Sequence, residues 1–293
     1  MNVVDREKCT TFFLHGNGCD LGFSTAAFEP VADFLGMPVV LVEYPGYGPT
    51  AKTSVKPIQK FAKNDTNNDE PTCCSPRYRE KPSAAGCVQA ALAAIEIMVG
   101  TANRFSFDSH FETDRDFSYK KEMRTDKDDD HDDDLAKKKE GLFSGVVLWG
   151  HSLGSAVAAQ TALELVKTYG PVDGAIRALI LTSAFETLRD AARDIAGPIA
   201  GALAPQLFDV HSDLAQLAEL TKNSGTCPPL LIVHGVNDEL VPFSHGLALY
   251  HAAPMPRKRI VPLTGRGHND LDPVGDLAPL VADLLCDSLE PLA

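Results

Sequence analysis

Val146-Val147-Leu148-Trp149-Gly150-His151-Ser152-Leu153-Gly154-Ser155-Ala156-Val157-Ala158-Ala159 is the stretch on which the reading of this chain turns. Its first four residues are solidly apolar, as in a strand covered on both faces, and its last five are small and helix-compatible. Between them stands Gly150-x-Ser152-x-Gly154. A strand that turns into a helix within so few residues needs small side chains on either side of the turn. Such a turn leaves Ser152 projecting above the sheet edge, with a helix N-terminus behind it that favours developing negative charge. Taken alone the pattern is also an ordinary Gly/Ser turn. The strand before it and the helix after it make Ser152 a candidate nucleophile.

Outward from this stretch, the same alternation runs along the whole chain. Apolar runs at 10–14, 38–43, 145–149, 178–182, 229–233 and 259–262 read as buried strands, and helix-like stretches lie at 83–99, 155–169, 186–203, 244–251 and 276–285. Strands that alternate with helices predict an α/β fold with a mostly parallel, doubly wound sheet. Two segments break the rhythm. Residues 52–82 are rich in Lys, Asn, Asp, Pro and Thr, and residues 101–141 contain Asp126-Lys127-Asp128-Asp129-Asp130-His131-Asp132-Asp133-Asp134. Both read as polar surface insertions, because the alternation resumes afterwards with unchanged character. One domain over 1–293 is the expectation. The acidic run fails as a calcium loop: His131 stands where Gly is required and Lys137 where a bidentate Glu belongs.

Composition sets outer bounds. The 293 residues carry 27 Lys plus Arg against 40 Asp plus Glu, a formal net charge of −13, and 44% are hydrophobic. That balance argues against nucleic acid and against a polybasic membrane anchor. No apolar run is long enough to span a bilayer, residues 1–10 lack a signal-peptide stretch, and no Cys stands in a prenylation position. The expectation is a cytoplasmic protein, with transient contact at membrane surfaces left open. The seven cysteines show no Cys-x-x-Cys spacing and read as reduced thiols. The pair Cys73-Cys74 reads as an ordinary loop feature, and no metal or organic cofactor is expected.

Three further loops complete a chemistry around Ser152. Leu14-His15-Gly16-Asn17-Gly18 follows the first strand. Acyl hydrolysis needs donors aimed at the oxyanion of a tetrahedral intermediate. One is expected from the backbone N–H of Leu153 and the other from that of Asn17, with Gly18 as the alternative. Leu231-Ile232-Val233-His234-Gly235-Val236-Asn237-Asp238 then places a carboxylate after a strand, Asp238 being the choice and Glu239 its competitor. Gly265-Arg266-Gly267-His268-Asn269-Asp270 follows the last strand. Among nine histidines, His268 alone completes the order Ser…Asp…His that suits this topology. His15, His151 and His234 are assigned to the turns themselves.

Together these residues resemble the α/β-hydrolase superfamily. Leu14-His15-Gly16-Asn17-Gly18-Cys19-Asp20-Leu21-Gly22, Tyr44-Pro45-Gly46-Tyr47-Gly48, the run 238–250 and Gly267-His268-Asn269-Asp270 resemble more closely its α/β-hydrolase domain-containing 17 family. The resemblance implies a palmitoyl-protein thioesterase-like serine hydrolase with Ser152 as nucleophile, Asp238 as acid and His268 as base. It implies acyl-ester, acyl-thioester or acylated-protein substrates, and a short helical lid over 186–227. Ile195, Ile199, Leu203, Leu207 and Phe208 in that lid suit either an acyl channel or a core-facing helix equally well, while Phe12, Phe13, Met98 and Trp149 read as core. The chain departs from the family in lacking a cysteine-rich N-terminal region, in its two insertions, and in reading Gly-His-Ser-Leu-Gly where that family usually has Gly-Gln-Ser-Ile-Gly. Two rival readings stand beside the esterase: a serine peptidase of the prolyl-oligopeptidase-like type, and a non-catalytic α/β-hydrolase scaffold. No oligomeric state is read from the sequence.

Overall fold

The apolar runs become the strands of one sheet. A computed structural model describes residues 9–19, 21–47, 82–99, 145–172 and 174–287. Among these described residues, six strands lie in the order β2-β1-β3-β4-β5-β6, every neighbouring pair parallel. They are β1 (Thr10–Leu14), β2 (Val39–Val42), β3 (Val146–His151), β4 (Ile176–Thr182), β5 (Leu230–Gly235) and β6 (Lys258–Leu263). Pro262 has no N–H to offer a further strand, and its place on the edge strand β6 suits that. The insertions expected at 52–82 and 101–141 lie outside the described residues, Pro82 excepted, and so do Cys73-Cys74 and the acidic run.

Helices cover both faces. α1 (Leu21–Leu35) and α8 (Ala278–Asp287), with a π-helical turn at Pro273–Leu277, pack on Phe13, Val147, Trp149, Ile180 and Leu231. α2 (Ala84–Val99), α3 (Leu153–Tyr169), α6 (Val210–Thr221) and α7 (Phe243–Ala252) pack on the other face, over Phe12, Leu148, Leu179 and Ile232. Odd and even residues of one strand thus serve opposite cores, which is why the strands are apolar without alternation. The first half of α3 approaches closely because small residues, Gly154, Ser155, Ala156, Ala158, Ala159 and Ala162, make up most of its buried face there.

Three expectations are corrected. α1 is a helix that the sequence pattern does not announce, since Gly22, Ser24 and an interior Pro30 mask its apolar spacing of Phe28, Val31 and Leu35. The helix expected over 186–203 is two, α4 (Leu188–Ala196) and α5 (Pro198–Leu203), because Gly197 adopts φ 88° and Pro198 supplies no N–H to continue the first. Met98 is half exposed, whereas Phe12, Phe13 and Trp149 are buried.

The sheet also fixes where chemistry can sit. The chain runs outward from β1 to β2 and then, from β3, in the opposite direction. The loops after β1 and β3 therefore part at the carboxyl edge and leave a crevice between them. Leu14 pairs with Gly150, His151 with Thr182 and Gly235 with Leu263. The four loops singled out from sequence all leave this one edge.

Candidate active site

Ser152 stands between β3 and α3 with φ 53° and ψ −117°, a conformation that a residue with a side chain adopts only at a cost. Its backbone N–H donates to the Thr182 carbonyl at 2.9 Å, and its own carbonyl accepts from Ser155 N–H at 3.0 Å. The flanking glycines are sterically required. A Cβ on Gly150 would lie 2.1 Å from the Gly154 carbonyl oxygen, and one on Gly154 would lie 1.8 Å from that of Leu14. The turn is thus held from both sides, which fixes the backbone from which Ser152 Oγ projects.

His268 reaches over from the loop after β6. Its Nε2 lies 3.0 Å from Ser152 Oγ and its Nδ1 2.7 Å from Asp238 Oδ2. With the Nδ1 hydrogen donated to the carboxylate, Nε2 is left to accept the serine hydroxyl hydrogen. Asp238 is itself buried, and its Oδ1 accepts the amides of Leu240 at 3.0 Å and Val241 at 2.8 Å. Burial alone would push this carboxyl up. Hydrogen bonds from His234, His268 and the Val241 amide outweigh it and hold the group well below the usual carboxylate range. Glu239, the competing carboxylate, is exposed. The two loops are locked together: Asn237 N–H donates to Arg266 O at 2.9 Å and Gly265 N–H to Asn237 Oδ1 at 3.0 Å, while a Cβ on Gly235 would collide with the Arg266 and Gly267 carbonyls.

The early loop lies against this line. A Cβ on Gly16 would be 3.3 Å from Ser152 Cβ and 3.3 Å from His151 Cδ2. Asn17 is steadied by the Tyr47 hydroxyl, which donates to its Oδ1 at 3.1 Å. Beneath, Glu43 accepts from His15 Nε2 at 2.9 Å and from the Leu21 and Tyr44 amides at 3.3 Å each, and the Tyr44 hydroxyl donates to the His15 carbonyl at 3.1 Å. Leu153 is the first residue of α3, and the N–H groups of a first turn have no partner within their helix.

Several of these residues read in sequence as mere turn formers. His151 sits with its ring 5.2 Å from that of His268 and its Nδ1 3.2 Å from Thr182 Oγ1. Burial, with His268 beside it, pushes its pKa down to about 4, so it stays neutral next to the serine at ordinary pH. His234 packs beside Asp238, and His245, at the start of α7, meets a carboxylate at each ring nitrogen: Nε2 lies 2.9 Å from Asp194 Oδ2 and Nδ1 3.4 Å from Glu186 Oε1. The only sequence signal for His151 and His234 is their spacing from the glycines and Asp238, which is equally that of a plain turn, and His245 falls in the helix-like stretch 244–251 with no signal of its own.

The segment 186–227 divides into two parts. α6 is core: Leu214 and Leu217 are fully buried, capped by Asp209 at its start. In α4 and α5, and just beyond, Ile195, Ile199, Leu203 and Leu207 are exposed, Leu203 by 80%. The expectation of one uniform role for these residues therefore does not hold; Phe208 alone of the five lies in the core.

No family model matches the chain. It is 37% identical over 67 residues to alpha/beta hydrolase domain-containing protein 17C of Xenopus tropicalis, and 37% over 70 residues to protein 17B of Homo sapiens. These stretches are 22% and 23% of this chain but only 19% and 21% of the relatives, so the match spans about a fifth of their length. Among solved structures, the apo form of Thermogutta terrifontis esterase 2 aligns with a TM-score of 0.52 at 17% identity, over 98% of this chain and 86% of that one. The putative non-heme bromoperoxidase BpoC of Mycobacterium tuberculosis aligns with a TM-score of 0.50 at 13% identity, over 96% and 93%. At such identities the likeness is one of fold. With its parallel six-stranded sheet the chain has the fold of the α/β-hydrolases, and in those short stretches of sequence it is similar to the domain-containing 17 proteins.

Proposed function

We propose that the chain is a serine hydrolase of acyl esters or thioesters, working through an acyl-Ser152 intermediate. The observation that carries this reading is the continuous line from Ser152 Oγ through His268 to Asp238, 3.0 and 2.7 Å, at a strained elbow. Ser152 Oγ attacks the acyl carbonyl as His268 Nε2 takes its proton, and Asp238 stabilises the imidazolium that results. The carbonyl electrons move onto oxygen, and the Leu153 and Asn17 N–H groups donate hydrogen bonds to the oxyanion that forms. Collapse expels the alcohol or thiol, which leaves with the proton from His268. Water then attacks the acyl-Ser152 and loses a proton to His268; collapse of this second intermediate breaks the bond to Oγ, His268 returns the proton to Ser152 Oγ, and the free acid departs. His151, neutral at ordinary pH, adds no competing charge beside the imidazolium.

The favoured substrate within this class is a fatty-acyl thioester on a protein. Support comes from the similarity to the domain-containing 17 proteins and from the uncharged run 195–207, in which Ile195, Ile199, Leu203 and Leu207 are exposed. Among the described residues no helix is long and apolar enough to cross a membrane, and an acylated protein would be met at a membrane surface.

The test is labelling with a fluorophosphonate probe, wild type against Ser152→Ala, followed by acyl thioesters of rising chain length, acyl esters and prolyl peptides. Wild-type labelling lost in Ser152→Ala, with turnover of long acyl thioesters, is expected. No labelling of the wild type refutes the enzyme and leaves a scaffold. Peptide cleavage without thioester or ester turnover refutes the substrate class.

A further inference from the structure

His234 takes no part in that chemistry, yet it is among the most completely buried polar side chains described. It lies near the end of β5, four residues ahead of Asp238, and its side chain has no exposure to solvent. Its Nε2 is 2.8 Å from the Val241 carbonyl oxygen and 3.3 Å from Asp238 Oδ2. Both neighbours are acceptors, so Nε2 carries the ring hydrogen and shares it between them, the shorter limb going to Val241. The other nitrogen, Nδ1, has no hydrogen-bond partner among the described residues. It is pressed against α7, where a Cβ on Gly246 would come within 2.7 Å of it.

An orphaned buried nitrogen is unfavourable. An apolar side chain would fill the same space without one, so packing does not account for a histidine here. What the ring does provide is one N–H at a point where two requirements meet. The turn 238–241 supplies the Leu240 and Val241 amides that hold Asp238 Oδ1, and the carbonyl of that same turn is tied by Nε2. The second limb reaches Oδ2, the oxygen that receives His268 Nδ1–H. We propose that His234 is a positioning residue: through Nε2–H it fixes the turn and the plane of the Asp238 carboxylate, and thereby the orientation of His268 towards Ser152. The inference rests on the roles proposed for Asp238 and His268 in the hydrolase. Partners of this kind, which orient the groups that do chemistry, typically contribute 10–100-fold.

Gln carries its amide nitrogen about as far from Cα as Nε2 lies, Asn only as far as Nδ1, and Leu carries no donor. The experiment compares His234→Gln, His234→Asn and His234→Leu. It reads kcat and KM on a p-nitrophenyl acyl ester, and the low-field proton resonance of the His268–Asp238 hydrogen bond. Expected are His234→Gln within about threefold of wild type, the other two down roughly 10–100-fold in kcat with KM unchanged, and the low-field resonance kept only in His234→Gln. Equal impairment of Gln and Leu, or a Leu variant with unchanged kcat and resonance, overturns the proposal. Should His234→Leu not fold, Asn against Gln carries the same contrast. A wild type that neither labels with the fluorophosphonate probe nor turns over esters or thioesters refutes the hydrolase reading, and the resonance then still decides the role of His234.

Discussion

Replacing Asp238 by Asn keeps the shape of the side chain and removes its charge, and the geometry of its partners sets the consequence. Four donors converge on the carboxylate: the Leu240 and Val241 amides on Oδ1 at 3.0 and 2.8 Å, His268 Nδ1 on Oδ2 at 2.7 Å and His234 Nε2 on Oδ2 at 3.3 Å. Asn has one oxygen to offer. If that oxygen keeps the two amides, its NH2 faces two N–H groups. His268 can answer by moving its hydrogen to Nε2, so that Nδ1 accepts. The clash is relieved, but Nε2 then donates towards Ser152 Oγ and cannot take its proton. The loss therefore falls on reaction, about 10⁴-fold, as for the wrong tautomer in a serine protease, or roughly 5–6 kcal/mol of barrier. Stability falls far less. His234 retains Val241 as its main acceptor, so one contact is spoiled, about 1–2 kcal/mol. The assay is the second-order rate of fluorophosphonate labelling, with denaturant unfolding alongside. The wild-type carboxyl is held low in the fold, so its contribution to stability is fully present above the unfolded value near pH 4 and fades as pH falls below it. The stability gap between the two proteins is accordingly constant around neutrality and closes in acid. Labelling of Asp238→Asn within tenfold of wild type would refute the reasoning, as would a gap that widens in acid.

Ser152→Gly should unfold at higher denaturant than Ser152→Ala, by about 1 kcal/mol, since Gly alone relaxes at φ 53°; both should fail to label. Gly154→Ala puts a methyl group 1.8 Å from the rigid Leu14 carbonyl oxygen, and should cost about 3 kcal/mol in chemical denaturation despite Ala's better helix propensity. His245→Ala removes the ring that ties Asp194 and Glu186 to α7; tryptic cleavage at Arg189 and Arg193 in α4 should quicken severalfold, with global unfolding little changed.

Strand runs such as Val146–Trp149 and Leu230–Val233 are legible because a sheet covered on both faces demands unbroken apolar residues, a local property of the chain. The elbow is legible for a similar reason: Gly150 and Gly154 are the residues that a strand meeting a helix in one turn permits. α1 is not, because Pro30 and Gly22 oppose the helix locally and only the burial of Phe28, Val31 and Leu35 against the sheet decides for it. Nor is the division of 186–227, where equally apolar residues are core in α6 and exposed in α5.

By itself, then, the sequence determined which residue types were present at the end of which strand: a serine in a glycine turn, a carboxylate and a histidine on later loops. Only the tertiary structure decided that residues 116 positions apart, Ser152 and His268, stand 3.0 Å from one another. It also decided that His234 and His151, read in sequence as turn histidines, and His245, read as part of a helix-like stretch, each face a particular partner. The physical reason is that strand and turn propensities act over a few neighbours, whereas hydrogen-bond partners are assigned by the sheet order, which brings the carboxyl ends of β1, β3, β5 and β6 to one edge.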